Sequence, residues 1–309
     1  MNFFKPKFWD KNQISFFSIL FFPISIMVIF LGYIKRSITK TEKFPIPIIC
    51  VGNIYLGGTG KTPICIETFS ILKNLNMNPV FIRKKYTSFQ DEVSLQKKIG
   101  SVYQSTKRKE ALNEAIKNGA NVAVLDDGFQ DFSINKNLTI VCFHEKQLLG
   151  NGLVIPSGPL RETLSSLKRA NCVIINGKKN DDFEKKILDK NKKIKIFYSK
   201  YKFQNVEKFK NKDVIAFAGI GNPENFFSLL KENNINVIEK FKFPDHYNYN
   251  EKEIKNLINK SKEKNVILIT TEKDYLRINE NNKKDVNYLK VLIEIENRNQ
   301  LIEEIKKII

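Results

Sequence analysis

Short β-branched runs alternate with stretches of helical spacing along most of this 309-residue chain. The runs that we predict as strands are Ile46–Val51, Val80–Arg83, Val122–Leu125, Leu138–Cys142, Cys172–Ile175, Ile194–Tyr198, Val214–Ala218, Val237–Phe241, Val266–Thr270 and Tyr288–Ile295. The helices predicted between them are Pro63–Lys73, Lys107–Asn118, Asp182–Asp189, Glu224–Glu232, Glu251–Ser261 and Asn297–Ile308. This alternation is typical of an α/β protein with a parallel sheet and helices on both faces.

The number of predicted strands suits two α/β lobes better than a single sheet. We predict an N-terminal hydrophobic segment at residues 1–36, a first lobe at residues 37–170 and a second, smaller α/β lobe at residues 171–309.

The N-terminal segment Ile14–Ile34 contains no charged residue and is rich in Phe and Ile. Its length is enough to cross a hydrocarbon core of about 30 Å. A single span would place one of its two basic flanks outside, against the positive-inside rule, and Pro23 weakens a straight helix. The flanks are Lys5, Lys7 and Lys11 on one side and Lys35, Arg36 and Lys40 on the other. We therefore expect a membrane-associated helix, either lying in the cytoplasmic leaflet or spanning once, in preference to a buried core helix.

A glycine-rich turn lies between the strand that ends at Val51 and the helix that follows. It reads Tyr55-Leu56-Gly57-Gly58-Thr59-Gly60-Lys61-Thr62. Glycines let backbone N–H groups approach a phosphate, and the helix N-terminus adds partial positive charge. In such a P-loop, the lysine reaches the terminal phosphates and the threonine holds Mg²⁺. We predict nucleotide binding here, although Tyr55 stands where the general pattern has glycine.

The charge composition indicates which classes of binding partner suit the chain. The formal net charge is +19, from 52 Lys and Arg against 33 Asp and Glu. Such an excess favours nucleic acid, anionic lipid or phosphorylated substrates, while a solvated basic surface explains it equally well. We expect no nucleic-acid partner, because the chain has no recognition module and its Phe residues lie in apolar runs.

The cysteines show no paired spacing, and each lies in an apolar run, which predicts buried free thiols in a reducing compartment. They are Cys50, Cys65, Cys142 and Cys172. With the two histidines, His144 and His246, they form no recognisable zinc pattern.

Two further segments carry charge at positions that suit phosphate chemistry. Within residues 123–130, an apolar run ends in Asp126 and Asp127, and P-loop proteins present a metal-binding carboxylate in this way. Residues 150–162 contain three glycines and two prolines and end in Arg161-Glu162, a cation for phosphate and a possible metal-shell carboxylate. The alternatives are an Asp-Gly turn and an exposed ion pair.

Three motifs are less specific. Phe243–Tyr247 contains Asp245 and His246, which could be a general base with its orienting carboxylate or part of a loop before a helix. Asp91 and Glu92 are predicted to lie in a loop, and Thr270–Asp274 is either a polar rim or a structural turn.

Taken in order, these elements resemble the tetraacyldisaccharide 4'-kinase family of lipid A biosynthesis over nearly the whole chain. Its loop is similar to Gly-Asn-x-x-x-Gly-Gly-x-Gly-Lys-Thr-Pro, which this chain matches at residues 52–63. The other matching segments are the N-terminal hydrophobic segment, Asp126–Gln130, Gly150–Glu162, Ala216–Phe227, Phe243–His246 and Thr270–Asp274.

The resemblance implies transfer of the ATP γ-phosphoryl group to the 4'-hydroxyl of an acylated glucosamine disaccharide 1-phosphate, which forms lipid IVA. It places the reaction at the cytoplasmic face of the inner membrane, with no obligate protein partner. Lys61 and Thr62 would serve the triphosphate and metal, and Arg161 would stabilise phosphate charge. The residues implied around Mg²⁺ are Asp127, Gln130 and Glu162, supported by Asp126.

The resemblance also implies a pair of groups that act on the acceptor hydroxyl. The family carries a Gly-Asp-Glu-Pro element whose Asp works with the His of the Asp-His motif, and Asp91 and His246 match these positions. This chain departs from the family here, because it has Lys84-Lys85-Tyr86 for Arg-Gly-Tyr and lacks the Gly and Pro that flank the Asp-Glu pair. A membrane-associated regulatory P-loop ATPase is the alternative function, which would need neither this pair nor the loop at residues 150–162.

Overall fold

The computed structural model describes residues 6–9, 13–86, 90–245 and 247–309. Its strands are β1 Ile48–Gly52, β2 Pro79–Lys84, β3 Val102–Ser105, β4 Val122–Asp126, β5 Leu138–His144, β6 Cys172–Asn176, β7 Lys195–Phe203, β8 Asp213–Ala218, β9 Asn236–Lys242, β10 Ile267–Thr271, β11 Asn287–Leu289 and β12 Val291–Ile295. Its helices are α1 Phe16–Leu20, α2 Phe22–Ile38, α3 Lys61–Asn74, α4 Gln90–Lys97, α5 Arg108–Lys117, α6 Asp181–Leu188, α7 Pro223–Glu232, α8 Glu251–Glu263, α9 Glu272–Leu276, α10 Glu280–Lys283 and α11 Arg298–Lys306.

The chain forms two compact units. The larger unit comprises residues 5–86, 99–200 and 293–309, and the smaller unit is built mainly on residues 87–98 and 201–292. The boundary that we predicted between residues 170 and 171 falls inside the larger unit.

The sheet of the larger unit has the strand order β12-β7-β6-β5-β1-β4-β2-β3, and the seven strands from β7 to β3 are parallel. Successive residues of β1 belong to different apolar clusters: Ile48 and Cys50 pack with α5 and α6, whereas Ile49 and Val51 pack with α3 and α11. Because successive strand residues point to opposite faces, helices cover both sides of this sheet. The predicted α/β class with a parallel sheet is therefore confirmed.

The smaller unit repeats this construction around a parallel sheet of order β11-β10-β8-β9. Val214 and Ala216 of β8 pack with α7, and Ile215 and Phe217 pack with α8. The second α/β lobe is thus present.

Two sequence-based assignments are wrong. Asp91 and Glu92 do not lie in a loop, because they occupy the first turn of α4. The strand predicted at Tyr288–Ile295 is two strands, β11 and β12, separated at Lys290.

The N-terminal segment folds as two helices whose buried residues are the serines Ser18 and Ser25. Ser18 and Ser25 are buried, whereas the large apolar side chains around them are exposed. The Oγ of Ser25 lies 2.8 Å from the carbonyl oxygen of Val154 and accepts the Ser157 N–H at 3.0 Å. The Nδ2 of Asn151 donates to the Oγ of Ser18 at 3.0 Å. The exposed side chains include Phe16, Phe17, Ile19, Leu20, Ile26, Met27, Phe30 and Leu31.

No helix within the described ranges has both the length and the apolar character needed to cross a membrane. The single-span mode considered for residues 14–34 is therefore not supported.

Candidate active site

Strand β1 leads into the glycine-rich turn, and α3 begins at Lys61. Gly60 takes the N-cap position with φ of 86°, and Gly57 has φ of 122°. Residues that carry a Cβ rarely adopt such backbone conformations. No described side chain caps the N-terminus of α3. The first turn of the helix therefore presents backbone N–H groups beside the glycine-rich turn, and this arrangement suits an anion.

Asn53 holds this turn in shape, a role that sequence reasoning missed. Its side chain is fully buried, and its Nδ2 lies 2.6 Å from the Tyr55 carbonyl oxygen, 3.3 Å from that of Gly57 and 2.9 Å from the Thr59 Oγ1. The side chain of Tyr55 is itself fully buried. The Asn that follows Gly52 in the loop motif was the signal that could have revealed this role.

Asp126, the last residue of β4, and Asp127, which follows it, have different partners. Asp126 is buried and pairs with Arg83, with 2.6 Å between Nη1 and Oδ2. Asp127 has φ of 54° and a side chain that is 30% exposed. Of the two carboxylates, therefore, Asp127 is the one available to a ligand.

Asp127 lies between two cations. The Nη1 of Arg161 donates to both of its carboxylate oxygens, at 2.8 and 3.0 Å, and the Nζ of Lys61 is 3.7 Å from Oδ1. Burial opposes its ionisation, but the charges of Lys61 and Arg161 outweigh burial and lower the pKa of Asp127 to about 2. Asp127 is thus an anion at physiological pH.

Backbone contacts join the loop at residues 150–162 to the glycine-rich turn. The Arg161 N–H donates to the Ile54 carbonyl oxygen at 2.6 Å, and the Leu56 N–H donates to that of Pro159 at 2.8 Å. These bonds explain how two segments separated by about a hundred residues place Arg161 beside Lys61 and Asp127.

Two arginines that the sequence did not single out complete this region. Arg108 donates to the Asp127 carbonyl oxygen at 2.8 Å. Arg169 donates to both carboxylate oxygens of Glu162, at 3.0 and 2.8 Å. They fix the backbone and the neighbouring carboxylate of the predicted site.

A cavity of about 590 Å³ borders these groups. Asp127, Gln130 and Arg161 line it, and the Nε2 of Gln130 donates to the Asn53 carbonyl oxygen at 2.9 Å. Its other charged lining residues are Lys35, Lys84, Lys107, Arg108, Lys109 and Asp131. The excess of cations makes the cavity suited to a phosphorylated ligand.

The three carboxylates that we predicted around a metal ion are each paired with a different arginine. Asp126 pairs with Arg83, Asp127 with Arg161, and Glu162 with Arg169, while Thr62 is buried in the first turn of α3. Among the residues that the structure describes, no group of three or more His, Cys, Asp and Glu side chains could hold a metal ion. The ionised and partly exposed Asp127, beside the Thr62 turn, nevertheless fits a cation that arrives with a nucleotide.

The second predicted pair can be described only in part, because His246 lies outside the described residues. Asp91 is buried within the smaller unit, where its Oδ2 lies 2.6 Å from the Nη2 of Arg277. Arg277 also donates to Asp274 at 3.0 Å and to the Gly219 carbonyl oxygen at 2.8 Å.

The Thr270–Asp274 segment joins the end of β10 to the start of α9 in the smaller unit. Asp274 is fully buried, accepts the Gly219 N–H at 3.1 Å and the Tyr249 hydroxyl at 2.9 Å, and is bonded to Thr271, the N-cap of α9. These buried contacts favour a structural role over the polar rim, but the segment is the junction of a strand and a helix and not the turn that the sequence offered.

Comparison with known proteins gives matches over nearly the whole chain. A family model described as tetraacyldisaccharide-1-P 4'-kinase matches residues 15–309. The tetraacyldisaccharide 4'-kinase of Pelagibacter ubique is 41% identical over 307 residues, covering 98% of this chain and 98% of that protein. The enzyme of the same name from Rickettsia canadensis is 37% identical over 320 residues, covering 98% and 96%.

A crystal structure of LpxK from Aquifex aeolicus in complex with ATP has a similar fold. It superposes with a TM-score of 0.73 and 24% sequence identity, covering 94% of this chain and 99% of that one.

Proposed function

Because this chain belongs to the tetraacyldisaccharide-1-P 4'-kinase family, we propose that its Lys61–Asp127–Arg161 site transfers the γ-phosphoryl group of ATP to a lipid sugar. The acceptor is the 4'-hydroxyl of an acylated glucosamine disaccharide 1-phosphate, and the product is lipid IVA of lipid A biosynthesis. The observation that carries this proposal is the convergence of Lys61, Arg161 and an ionised Asp127 at the N-terminus of α3.

The residues around the glycine-rich turn bind the triphosphate. The backbone N–H groups of residues 57–62, at the start of α3, face the phosphates, and Lys61 reaches their terminal end. Arg161 moves from Asp127 to the transferring group, where charge develops as the phosphoryl group passes between oxygens.

A magnesium ion fits the same region. Thr62 and Asp127 would hold it, with Gln130 and Glu162 around it and Asp126 in support, and the ion would neutralise phosphate charge. The carboxylate of Asp127 is already ionised, so no proton has to leave before it binds a cation.

The acceptor hydroxyl needs a group that takes its proton, and we assign this role to the Asp91–His246 pair. A sugar hydroxyl is a weak acid, and histidine is the side chain whose ordinary pKa lies nearest neutrality. Asp91 contributes a carboxylate whose position is fixed by Arg277.

The exposed apolar side chains of α1 and α2 attach the enzyme to the cytoplasmic face of the inner membrane. Phe16 is 75% exposed and Met27 is 61% exposed, while the serines Ser18 and Ser25 of the same helices are buried against the protein. A helix that buries its serine against the protein and exposes large apolar side chains suits insertion into the headgroup and acyl boundary. An acylated acceptor is found in that layer.

Labelled ATP incubated with the acylated disaccharide 1-phosphate tests the proposal, with the phosphate count of the product read by mass. We expect one added phosphate, and Lys61→Ala should lower turnover by at least about 100-fold. Lys73→Ala, at the exposed far end of α3, is the matched control and should retain activity. ATP hydrolysis that is independent of the acceptor would instead favour a regulatory P-loop ATPase.

A further inference from the structure

A second cavity of about 300 Å³ lies at the C-terminal end of α2. Three cationic side chains line it, those of Arg36, Lys136 and Arg169, and no carboxylate is found among its described lining residues. The neutral polar groups in the lining come from Thr41, Asn135 and Thr139. Like charges gathered around one cavity repel one another, so the arrangement is stabilised when an anion enters it.

Lys136 contributes a cation that is largely withdrawn from water. Its Nζ donates to the carbonyl oxygens of Asp131 at 2.6 Å and Phe129 at 3.3 Å. Burial is the main cause that lowers the pKa of Lys136; the nearby Asp131 carboxylate raises it in part, and the charge of Arg169 lowers it. An anion in the cavity would offset both effects.

Arg169 presents its guanidinium in a fixed plane. Its central carbon lies 4.6 Å from the centre of the Phe129 ring and 4.9 Å from that of Phe132, and one edge is bonded to Glu162. A planar guanidinium held in this way is preorganised for the oxygens of a phosphate.

The position of Arg36 in α2 indicates where the cavity lies relative to a bilayer. It occupies the last turn of α2, directly after the exposed apolar residues Leu31, Tyr33 and Ile34. If those side chains enter the acyl boundary, a basic residue at the end of the helix lies at the level of the lipid phosphates.

We propose that this cavity is a binding site for a phosphate group carried on a membrane lipid, held by Arg36, Lys136 and Arg169. The phosphate belongs either to an anionic phospholipid of the bilayer or to the 1-phosphate of the lipid acceptor. The inference rests on the proposed membrane attachment. The contact between Arg169 and Glu162 connects the cavity to a residue of the proposed metal shell.

The test uses the full chain with Arg36→Gln and Lys136→Met, and with Lys168→Gln as the matched control. Lys168 is exposed, directly precedes the cavity residue Arg169, lies outside the basic flanks of the N-terminal segment and does not line the cavity. Sedimentation is measured with vesicles of phosphatidylcholine, with and without phosphatidylglycerol. A bilayer phosphate predicts about fivefold weaker binding to the anionic vesicles for each cavity variant, and unchanged binding for the control.

Steady-state kinetics distinguish the second source. An acceptor phosphate predicts a KM for the disaccharide 1-phosphate raised about tenfold, with kcat and the KM for ATP unchanged. Arg36→Gln removes an exposed side chain, so its result stands even if Lys136→Met lowers stability.

Unchanged vesicle binding together with an unchanged KM for the acceptor overturns the proposal, and so does a control that loses as much as Arg36→Gln. If the wild-type protein does not phosphorylate the disaccharide, the proposed kinase function fails, while the vesicle comparison still decides whether the cavity binds lipid phosphate.

Discussion

Arg277 and Asp91, 186 positions apart in the sequence, form a buried ion pair with 2.6 Å between Nη2 and Oδ2. Their side chains are 8% and 2% exposed. The same guanidinium bonds to Asp274 and to the Gly219 carbonyl oxygen. Within the smaller unit, one side chain therefore fixes the first turn of α4 against α9 and the end of β8.

We expect Arg277→Met to destabilise the protein by about 3–5 kcal/mol, because it leaves two buried carboxylates without their cation. Urea unfolding followed by circular dichroism measures the change. Lys255→Met, which breaks the exposed Lys255–Glu251 pair of the same unit, is the control and should cost less than about 1 kcal/mol. Equal midpoints for wild type and Arg277→Met would show that the buried pair adds nothing.

The ionisation of the Asp127 carboxylate makes the stability of the folded protein depend on pH in the acidic range. Its pKa falls from an ordinary 3.8 to about 2 in the folded protein, so folding favours the ionised form. The stabilisation is complete above the unfolded pKa of about 4 and is lost as pH falls from about 4 to 2. Asp127→Asn should be less stable than wild type at pH 6, and the difference should shrink below pH 4. Asn tolerates the left-handed backbone at this position, which makes it the suitable replacement.

Melting temperature as a function of pH, recorded for both proteins, checks this expectation. A constant difference between the two curves from pH 6 to pH 2 would contradict the assigned ion pairs of Asp127.

Substitutions on the two faces of α2 should affect different properties, stability on the buried face and vesicle binding on the exposed face. Ser25→Leu places a large side chain in a closed site and removes the bonds to Val154 and Ser157, so we expect a loss of about 2 kcal/mol or more. Phe30→Ser changes a side chain that is 60% exposed, so stability should change little. Its partition onto lipid vesicles should weaken by about tenfold.

Thermal unfolding and vesicle sedimentation of both variants test this pair of expectations. If Phe30→Ser bound vesicles as tightly as wild type does, the exposed face of α2 would not be the attachment surface.

His246→Ala should lower turnover by at least about 100-fold and leave ATP affinity intact, because its assigned task is proton transfer from the acceptor. Turnover and the dissociation constant for ATP, measured on the same preparation, separate the two effects. An equal loss of ATP affinity would remove His246 from this role.

The sequence predicted the features that are local along the chain. The run of residues 122–127 is apolar and ends in two acids, and the glycine-rich turn carries its own motif, so the order of residues alone locates both. Strand β3 and helix α4 were missed because each is short and mixes polar with apolar residues without a clear period.

Most partners of the site could not be predicted, because they meet through the fold. Arg83 reaches Asp126 across 43 residues, and Arg108 reaches the Asp127 carbonyl across 19. Nothing in the local pattern distinguishes these arginines from the many basic residues of a chain with 52 Lys and Arg. Parallel strand pairing, which brings β2 beside β4, creates the contact between Arg83 and Asp126.

All four cysteines are free and buried, as the sequence predicted. Burial raises the pKa of Cys50 to about 11 and that of Cys142 and Cys172 to about 12, and it raises the pKa of Cys65 well above its ordinary value. The thiolate is the form of cysteine that attacks maleimide reagents, so these native thiols should be nearly inert while the protein stays folded. A single reporter cysteine introduced on the outer face of α2 would then be labelled selectively with a fluorophore. The depth of that fluorophore in a bilayer could be measured without replacing the native cysteines.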